Sequence, residues 1–465
     1  MKIKFKNLGP IESGEIDFND LKGINLIIGK NNTGKTYLSY LIYSYFKFMD
    51  KFNITSFTFL NNIVLNEKKI IDYDWFQKNY EEEIKIKLRK ELITTFHVHN
   101  DFFRNFEIVN IDLTDEMKKF KEKDAESRIL VASKNKIKEN KTIITKKKEH
   151  EIIFEIKDYF KNYEDEFKSD SFDAEIIGIS RNFKEKEMKQ FGLEYLFRKL
   201  LLNIFIKIYF FPAERSGAVL FYNQLLENRN NILRNLELSQ DMNLLKDVSR
   251  YSEPVNEYII RLNQLEEYEN REETEIYKNL VKDIDIQNII EGEIIIKSNQ
   301  IIYKNENDVE LNMGLVSSTV KTLAGFFLYL KYQAQKGDII FIDEIELNLH
   351  PENQRKIMKL INYLSKQGLK FVISTHSPVI TQEMNNMIMF EKCKDKIDDE
   401  IIKEYSIDRQ NYGLRQEDVN IYFLNNKTIE QAEFGEDGVI TETFNEVLGE
   451  IDNLYQELLF AMEEE

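Results

Sequence analysis

The sequence predicts an α/β fold in which a mixed sheet is flanked by helices and a helical hairpin is inserted. Three observations predict it in this chain of 465 residues. The apolar run Ile24 to Ile28 is followed by a glycine-containing loop and then by a segment with helical spacing. Two later apolar runs end in polar side chains at Asp343 and Thr375, as buried parallel strands do. A long polar stretch with helical spacing, residues 222–290, separates the first run from the other two.

Composition and charge restrict the classes of function. A hydrophobic fraction of 42% supports a core large enough for one α/β domain with an insertion, or for two domains. The 64 basic and 81 acidic residues give a net charge of −17, so the surface as a whole repels nucleic acid and any DNA contact must be local. The single Cys393 excludes a disulfide within the chain. Because no apolar run reaches the ~18 residues of a membrane span and the N-terminus lacks the core of a signal peptide, we expect a cytoplasmic protein without membrane contact.

The chain begins with strands. KIKFKN and GEIDFND alternate apolar and polar side chains, which predicts two half-exposed strands, whereas Ile24 to Ile28 is apolar except at Asn25 and predicts a buried one. GKNNTGKT follows, and the next segment, from Thr36 to Phe48, has the spacing of a helix. The pattern G-x-x-x-x-G-K-[ST] in the order strand, loop, helix is typical of a phosphate-binding loop.

The residues of this loop predict a nucleotide-phosphate site. Gly29 and Gly34 permit backbone angles that turn successive N–H groups toward phosphate oxygens, and the positive end of the helix dipole favours the phosphate charge. We expect Lys35 to reach the β- and γ-phosphates and the Thr36 hydroxyl to ligate Mg²⁺. The residues expected to contact the nucleotide are Gly29, Lys30, Asn31, Asn32, Thr33, Gly34, Lys35 and Thr36. The alternative is an ordinary turn between a strand and a helix.

Between residues 50 and 200 the pattern is mixed. YEEEIKIKLRKELITTF has helical spacing, and FEIVNIDL and HEIIFEI alternate as strands do. Lys134 to Lys148 contains seven lysines and one glutamate, which indicates a solvated loop or, alternatively, a local patch for nucleic acid or a partner. His97 and His99 form an H-x-H pair, but no cysteine or other histidine lies nearby in the sequence, which argues against a metal site.

The following region is rich in helix-forming residues. Residues 222–290 contain Leu, Asn, Glu and Lys at helical spacing, which predicts two antiparallel helices. Their heptads are too irregular to indicate a coiled coil. EGEIIIKSNQIIYK then predicts a strand hairpin that turns near Ser298 and Asn299.

GDIIFIDEIELNLHP supplies the acids that a phosphate site needs. Its apolar run ends in Asp343 and Glu344, which places both carboxylates at the carboxyl end of parallel strands, where α/β folds bind ligands. We expect Asp343 to hold Mg²⁺ through its water shell, and Glu344 to accept a proton from the water that attacks the γ-phosphate. His350 is expected to shape the turn that follows. Two adjacent acids after a strand are common, so this prediction depends on their pairing with Lys35 and Thr36.

A second strand with a polar end follows in LKFVISTHSPVI. It ends in Thr375, His376 and Ser377. An imidazole at a strand end beside the site could donate a hydrogen bond to the γ-phosphate and orient the attacking water. The alternative is a structural histidine with its hydrogen bonds satisfied.

The order of these motifs resembles that of the ABC-type ATPases of the RecF, SMC and OLD group. The resemblance rests on GKNNTGKT, the D-E-x-E-x-x-L-H-P form of DEIELNLHP, STHSP as a switch histidine, and SSTVKTLAG upstream of the acidic strand. It covers residues 1–50 and 290–385, and FFPAERSG in part. Within the group, the sequence is most similar to the stand-alone ATPase subunits of bacterial anti-phage systems such as PARIS and Septu. The resemblance implies an ABC-type P-loop head that hydrolyses ATP with Mg²⁺.

The resemblance also implies an assembly. In such ATPases two heads enclose two ATP molecules, and each head presents serines to the γ-phosphate that the other head binds. By this resemblance Ser317 and Ser318 are the signature serines, although Thr319 stands where the family usually has glycine. Arg215 in PAERSG is either a charged contact near the site or part of a structural ion pair. A homodimer or a higher homo-oligomer is therefore expected.

A domain division and a biological role follow from the same resemblance. We expect two head lobes, residues 1–220 and 291–390, with a helical insertion at 221–290 and a C-terminal extension at 391–465. The residues after His376 show neither the acidic spacing of a TOPRIM nuclease nor an H-N-H cluster, so an effector would be a separate nuclease or toxin. The expected role is an ATPase that senses phage and regulates this effector. The alternatives are a DNA-repair or chromosome-maintenance ATPase that grips DNA through the lysine run, and a transporter subunit.

Overall fold

The computed structural model of the chain describes residues 2–18, 21–50, 68–112, 125–133, 136–148, 151–158, 207–239, 251–269, 271–283, 287–405, 407–432, 434–435 and 438–439. Within these ranges no helix combines the length and the apolar character that a membrane crossing requires. The segment LGEIDNLYQELLFAMEEE, whose spacing predicts an amphipathic helix, lies outside them.

A nine-stranded mixed sheet forms the centre of the molecule. From edge to edge, its strands are β5 (Glu107–Asp112), β1 (Lys2–Leu8), β2 (Ile11–Asp17), β16 (Thr428–Gln431), β15 (Val419–Asn425), β3 (Ile24–Gly29), β14 (Lys370–Thr375), β13 (Ile339–Ile342) and β9 (Ile208–Phe211). The five strands from β15 to β9 are parallel, whereas β1 pairs antiparallel with both β2 and β5. The predicted mixed sheet, with half-exposed strands before a buried one, is confirmed.

The parallel half of the sheet brings three strand ends together. β14 lies between β3 and β13, with Ile373 opposite both Leu26 and Ile342. Every residue of β3 and β13 is buried, and all but Asn25 are apolar, as is typical of strands covered on both faces. The segments that follow β3, β14 and β13 therefore leave the sheet at the same edge.

Helices cover both faces of this sheet. One face carries α1 (Lys35–Asp50) and α2 (Tyr73–Phe96), whose core includes Leu41 and Leu88 together with Phe341 of β13. The next strand residue, Ile342, belongs to the core on the opposite face, as the alternation of a strand requires. The remaining helices are α3 (Arg215–Ser239), α4 (Glu253–Leu262), α5 (Leu265–Glu269), α6 (Glu275–Asp283), α7 (Gln287–Ile290), α8 (Ser318–Tyr332), α9 (Pro351–Lys366), α10 (Pro378–Cys393) and α11 (Asp399–Glu404).

Residues 222–290 differ from the predicted pair of antiparallel helices. Among the described residues of this region, α3 is followed by the short helices α4 to α7 in place of a second long helix. Tyr258, Leu262 and Leu280 are buried in the same core as the sheet. Of these short helices, α4 packs against β9 and α6 packs against α8, so both lie on the head and do not project from it.

The lysine-rich segment differs from the predicted solvated loop. Residues 136–148 form β7 in a separate four-stranded sheet, whose order is β4 (Lys68–Asp72), β8 (Glu151–Asp158), β7 (Lys136–Lys148) and β6 (Ala125–Ser133). β7 pairs antiparallel with β6 and β8 along most of its length. Lysine content alone does not distinguish a loop from a strand whose backbone is paired on both sides. The strands predicted in FEIVNIDL and HEIIFEI are confirmed as β5 and β8.

The predicted hairpin is confirmed. β10 (Gly292–Lys297) and β11 (Gln300–Asn305) are antiparallel, and β12 (Glu310–Asn312) adds a third strand. Ser298 and Asn299 form the turn with φ values of 51° and 58°. Two successive positive φ angles are typical of the tight turn that matches the twist of paired strands.

Part of the C-terminal segment belongs to the head. β15 pairs parallel with β3, and β16 pairs with both β15 and β2. The expected boundary at residue 390 therefore does not separate residues 419–431 from the head. Two further short strands, β17 (Phe434–Gly435) and β18 (Gly438–Val439), form a small hairpin.

Candidate nucleotide-binding site

The loop GKNNTGKT connects the end of β3 to the start of α1. Asn32 and Gly34 have φ values of 64° and 104°. A Cβ atom at Gly34 would lie 2.8 Å from the Ile11 side chain, so both the backbone angle and the lack of space require glycine there. The Gly34 carbonyl accepts the N–H of Leu38 at 2.9 Å and begins the hydrogen bonding of α1. The predicted order of strand, loop and helix is present.

Lys35 lies over this loop. Its Nζ donates hydrogen bonds to the main-chain oxygens of Gly29 at 2.9 Å and Lys30 at 3.0 Å. Burial lowers the pKa of the Lys35 ammonium, while the carboxylates of Glu344, Glu346 and Asp343 oppose this effect and raise it. The ammonium is thus buried at the loop with three acids near enough to affect its charge.

The structure brings the acidic strand end to the phosphate loop. The Thr36 hydroxyl donates a hydrogen bond to Asp343 Oδ2 at 3.0 Å, although 307 residues separate the two in the sequence. The other carboxylate oxygen, Oδ1, accepts a hydrogen bond from the Ser374 hydroxyl. Asp343 is buried, and its N–H donates to the Phe211 carbonyl of β9 at 2.9 Å. The carboxylate is thus held by one hydroxyl from α1 and one from β14, while β9 holds the main chain of Asp343.

Glu344 has an unusual backbone conformation. Its φ is 49°, in the left-handed region that is unfavourable for a residue with a side chain. Its N–H donates to the Ser374 hydroxyl at 2.9 Å. The side chain is half-buried beside the site. Backbone strain of this kind persists only where surrounding contacts hold it, and it is concentrated at functional sites.

Arg215 supplies such contacts. It is buried, and its guanidinium donates to the main-chain oxygens of Asp343 at 2.6 Å, Glu344 at 2.8 Å and Pro212 at 3.0 Å. Burial lowers the pKa of this guanidinium from its ordinary value. The sequence left open a charged contact near the site or a structural ion pair. Among the described residues Arg215 lies at the site and binds main-chain carbonyls of the acidic turn.

His376 follows β14 at the same edge of the sheet. Its main-chain N–H donates to Glu346 Oε1 at 2.7 Å, and the preceding Thr375 hydroxyl donates to Glu346 Oε2 at 2.8 Å. The imidazole is 40% exposed. Ser377 caps α10 by accepting from the N–H groups of Val379 and Ile380. The position of His376 at a strand end beside Asp343 is therefore the predicted one.

Ser317 and Ser318, the serines predicted to form a signature, lie at the beginning of α8. Ser317 is the N-cap, and its hydroxyl accepts the Val320 N–H at 3.3 Å. Ser318 is the first helical residue, and both serines are exposed. The Thr319 hydroxyl donates to the Asn348 carbonyl at 3.0 Å, which connects this helix start to the loop after the acidic pair.

The other three histidines among the described residues have structural contacts. His350 caps α9 by accepting the Glu352 N–H at 3.3 Å, in agreement with its expected role in the turn. His97 Nδ1 lies 2.7 Å from the Tyr251 carbonyl, and His99 Nδ1 lies 3.1 Å from Asp101. Across the described ranges no three His, Cys, Asp or Glu side chains are grouped to hold a metal.

Several residues of the site were not identified from the sequence. Ser374 contacts both Asp343 and Glu344, and Glu346 contacts the end of β14. The signal for Glu346 is the second glutamate of DEIE, and the signal for Ser374 is the first polar residue after the apolar run FVI. β15 was also missed: its Leu424 pairs with Gly29 beside the phosphate loop.

Comparisons with known proteins agree with this site. The family model of the AAA ATPase domain matches residues 1–381. No curated protein sequence matches the chain.

Three solved structures align with most of this chain at low sequence identity. The SMC head domain from Thermotoga maritima aligns at 11% identity over 93% of this chain and 98% of that one, with a TM-score of 0.28. An SMC head bound to the C-terminal winged-helix domain of ScpA aligns at 11% identity over 92% and 96%, with a TM-score of 0.31. The Pyrococcus furiosus SMC head with an extended coiled coil, bound to the C-terminal domain of ScpA, aligns at 10% identity over 98% of both chains, with a TM-score of 0.30. Superpositions with such low scores carry no weight in assigning the function.

The assignment rests on the family match and agrees with the geometry around it. The match begins before the phosphate loop and ends after His376, so it includes the ends of β3, β13 and β14. Within it, the loop that can bind a nucleotide phosphate meets an aspartate and a glutamate at one sheet edge. The chain belongs to the AAA ATPase domain family and is an ATP-binding P-loop ATPase.

Proposed function

We propose that ATP is hydrolysed where the loop Gly29 to Thr36 meets Asp343 and Glu344. The contact between the Thr36 hydroxyl and Asp343 at 3.0 Å carries the proposal, because it joins the two halves of the site. The N–H groups from Gly29 to Gly34 bind phosphate oxygens, and the Lys35 ammonium exchanges its present carbonyl contacts for the β- and γ-phosphates.

The same two residues fit a magnesium ion. Thr36 and Asp343 offer a hydroxyl and a carboxylate oxygen in contact, and oxygen donors of this kind suit Mg²⁺. Mg²⁺ usually takes only one or two protein ligands and fills its other positions with water and substrate phosphates, which these residues leave room for. When bound, the ion neutralises charge that develops on the phosphates.

Glu344 and His376 act on the water in this proposal. Glu344 accepts the proton of the attacking water, and His376 donates a hydrogen bond that orients the water and the γ-phosphate. The held backbone at Glu344, with its φ of 49°, supports this role since it sets the direction of the carboxylate. Hydrolysis at such a site is chiefly a problem of positioning.

We further propose that two heads dimerise around ATP in the ABC-type manner. The exposed hydroxyls of Ser317 and Ser318 at a helix start would contact the γ-phosphate that a second copy binds. Each complete site then contains loop and acids from one chain and serines from the other. ATP binding closes the dimer and hydrolysis releases it.

A mixing experiment tests this shared site. Lys35→Ala and Ser318→Arg are each expected to lower kcat by about 100-fold or more, because each removes one half of every site. An equal mixture should recover about a quarter of wild-type activity, since half of the dimers are mixed and each mixed dimer holds one intact site of two. Phosphate release by the two chains, alone and mixed, is the measurement.

The matched control places both defects in the same half of the site. Lys35→Ala mixed with Asp343→Asn should recover nothing, because every site then carries a defect. Folded variants that show no recovery in the first mixture would exclude the shared site and leave the hydrolytic residues of the single chain untouched.

The proposed biological role is regulation of a separate effector. Under this proposal the head senses phage, and its ATP-driven opening and closing controls a nuclease or toxin encoded beside it. The support is the resemblance of the motifs to stand-alone defence ATPases. We expect the chain to co-migrate with the product of the neighbouring reading frame. Separate migration in the presence and absence of an ATP analogue would count against the role, and a neighbouring permease would favour transport.

A DNA-repair or chromosome-maintenance ATPase is the second candidate. The observation that favours it is the lysine-rich strand β7, which lies in a sheet distinct from that of the ATPase site. DNA binding that weakens steeply with salt, and that disappears when the lysines of 134–148 are changed to glutamine, would support it. Unchanged DNA binding in that variant would exclude this strand as the contact.

A further inference from the structure

Glu346 connects the loop after the acidic pair to the end of β14. It is only 7% exposed. Its two carboxylate oxygens accept the Thr375 hydroxyl at 2.8 Å and the His376 N–H at 2.7 Å. One buried carboxylate thus holds two successive residues of the strand end, and the second of them is the histidine that we propose orients the water.

The ring of His376 faces the same carboxylate. Its Nδ1 is buried and makes no hydrogen bond among the described residues, yet it lies 2.9 Å from Glu346 Oε1. The side chain as a whole is 40% exposed, so its exposure comes from the other ring atoms, Nε2 among them. A buried nitrogen without a partner is costly, and a small rotation of the ring would align Nδ1–H with Oε1. Glu346 is the acceptor that such a rotation would reach.

We infer that Glu346 is a positioning residue for ATP hydrolysis, which holds His376 through Nδ1 so that Nε2 is presented to the substrate. The inference rests on the proposed role of His376. The group bound at one imidazole nitrogen determines the orientation of the ring and whether the other nitrogen donates or accepts a hydrogen bond. Glu346 itself does not contact ATP in this arrangement. Its part differs from that of Glu344, which acts on the water directly.

A purely structural carboxylate would also contact Thr375 and the strand backbone. The chain offers a matched control for that possibility in Glu383 of α10. Glu383 is 1% exposed, accepts from Arg355 Nε at 2.7 Å and accepts from the Tyr412 hydroxyl at 3.1 Å. Glu383 is therefore a buried carboxylate with structural partners. Among the described residues, its hydrogen bonds and ion pairs do not involve the phosphate loop or the acidic pair. A comparison of the two separates loss of folding from loss of turnover.

The experiment is a double-mutant cycle on the full chain. Glu346→Gln is expected to lower kcat by about 10- to 100-fold and to leave the KM for ATP within about threefold, because binding by the phosphate loop is unchanged. His376→Ala should lower kcat at least as much. The double variant should match His376→Ala alone, since Glu346 acts through the ring. Glu383→Gln should lower the Tm but keep kcat within about twofold.

The outcomes distinguish this inference from the function on which it rests. If the two losses multiply in the double variant, Glu346 acts independently of the histidine and the inference is wrong, while the role of His376 stands. If His376→Ala hydrolyses ATP like the wild type, the inference about Glu346 and the proposed role of His376 are both wrong. A loss of kcat in Glu383→Gln equal to that in Glu346→Gln would also overturn it. If Glu346→Gln does not fold, Glu346→Asp takes its place in the cycle, because aspartate withdraws the carboxylate by one methylene. The double variant is again compared with His376→Ala alone to test whether Glu346 acts through the histidine.

Discussion

Replacing Glu344 with glutamine is expected to reduce kcat for ATP hydrolysis by about 100- to 10,000-fold, because glutamine cannot accept the proton of the attacking water. ATP binding should remain, since Lys35 and Thr36 are unchanged. The variant should therefore accumulate in the closed, ATP-bound state. Phosphate release measures the first effect, and sedimentation with saturating ATP measures the second, as a shift from monomer to dimer.

The matched control is Glu352→Gln. Glu352 is an exposed acid at the start of α9 that pairs with Lys356, and its loss should leave kcat unchanged. A Glu344→Gln chain that hydrolyses ATP like the wild type would remove Glu344 from the reaction. A chain that binds ATP but stays monomeric would contradict the dimer clamp while leaving the role of Glu344 as a base intact.

Replacing Arg215 with alanine is expected to destabilise the fold and the site together. The change removes the guanidinium donors of the Pro212, Asp343 and Glu344 carbonyls, of which Pro212 and Glu344 keep main-chain N–H donors. A buried polar group without a partner costs about 1–3 kcal/mol, and removing the desolvated charge of the guanidinium offsets part of the loss, so we expect a decrease of about 2 kcal/mol in the free energy of unfolding. Urea denaturation followed by circular dichroism measures it.

Turnover should fall with stability in this variant, because the strained backbone at Glu344 loses the contacts that hold it. Arg215→Lys should be intermediate, since one ammonium cannot reproduce the planar fork that reaches three carbonyls. Arg409→Ala is the control: Arg409 is half exposed and pairs with the exposed Asp399, so stability and kcat should not change measurably. Wild-type stability in Arg215→Ala would show that the acidic turn does not depend on the guanidinium.

Local patterns were sufficient for the elements that we propose contact the nucleotide. The loop GKNNTGKT is contiguous, and the positive φ of its backbone at Gly34 favours glycine. The turn at Ser298 and Asn299 likewise depends on neighbouring residues. The acidic pair was identified because a buried strand is apolar along its whole length and its polar end then stands out. In each of these cases the local structure is determined by residues only a few positions apart in the sequence.

Sequence patterns gave wrong predictions where the secondary structure of a segment depends on residues that are distant in the sequence. Residues 136–148 were expected as a solvated loop because of their lysines, but β6 and β8 pair with both edges of their backbone. The second helix of the insertion is replaced by short helices because buried residues such as Tyr258 and Leu280 pack into the core of the head. β15 enters the sheet beside β3, a pairing between segments at opposite ends of the chain.

The sequence by itself determined the α/β class, the phosphate loop and the acids and histidine at the strand ends, because periodicity and glycine spacing record local backbone needs. Only the tertiary structure decided how those side chains are held. Ser374 binds the acidic pair, Arg215 binds its carbonyls, and Glu346 binds the end of β14. The partners of a buried polar group depend on which strands are neighbours, and strand order results from packing the whole chain, so no local pattern contains it.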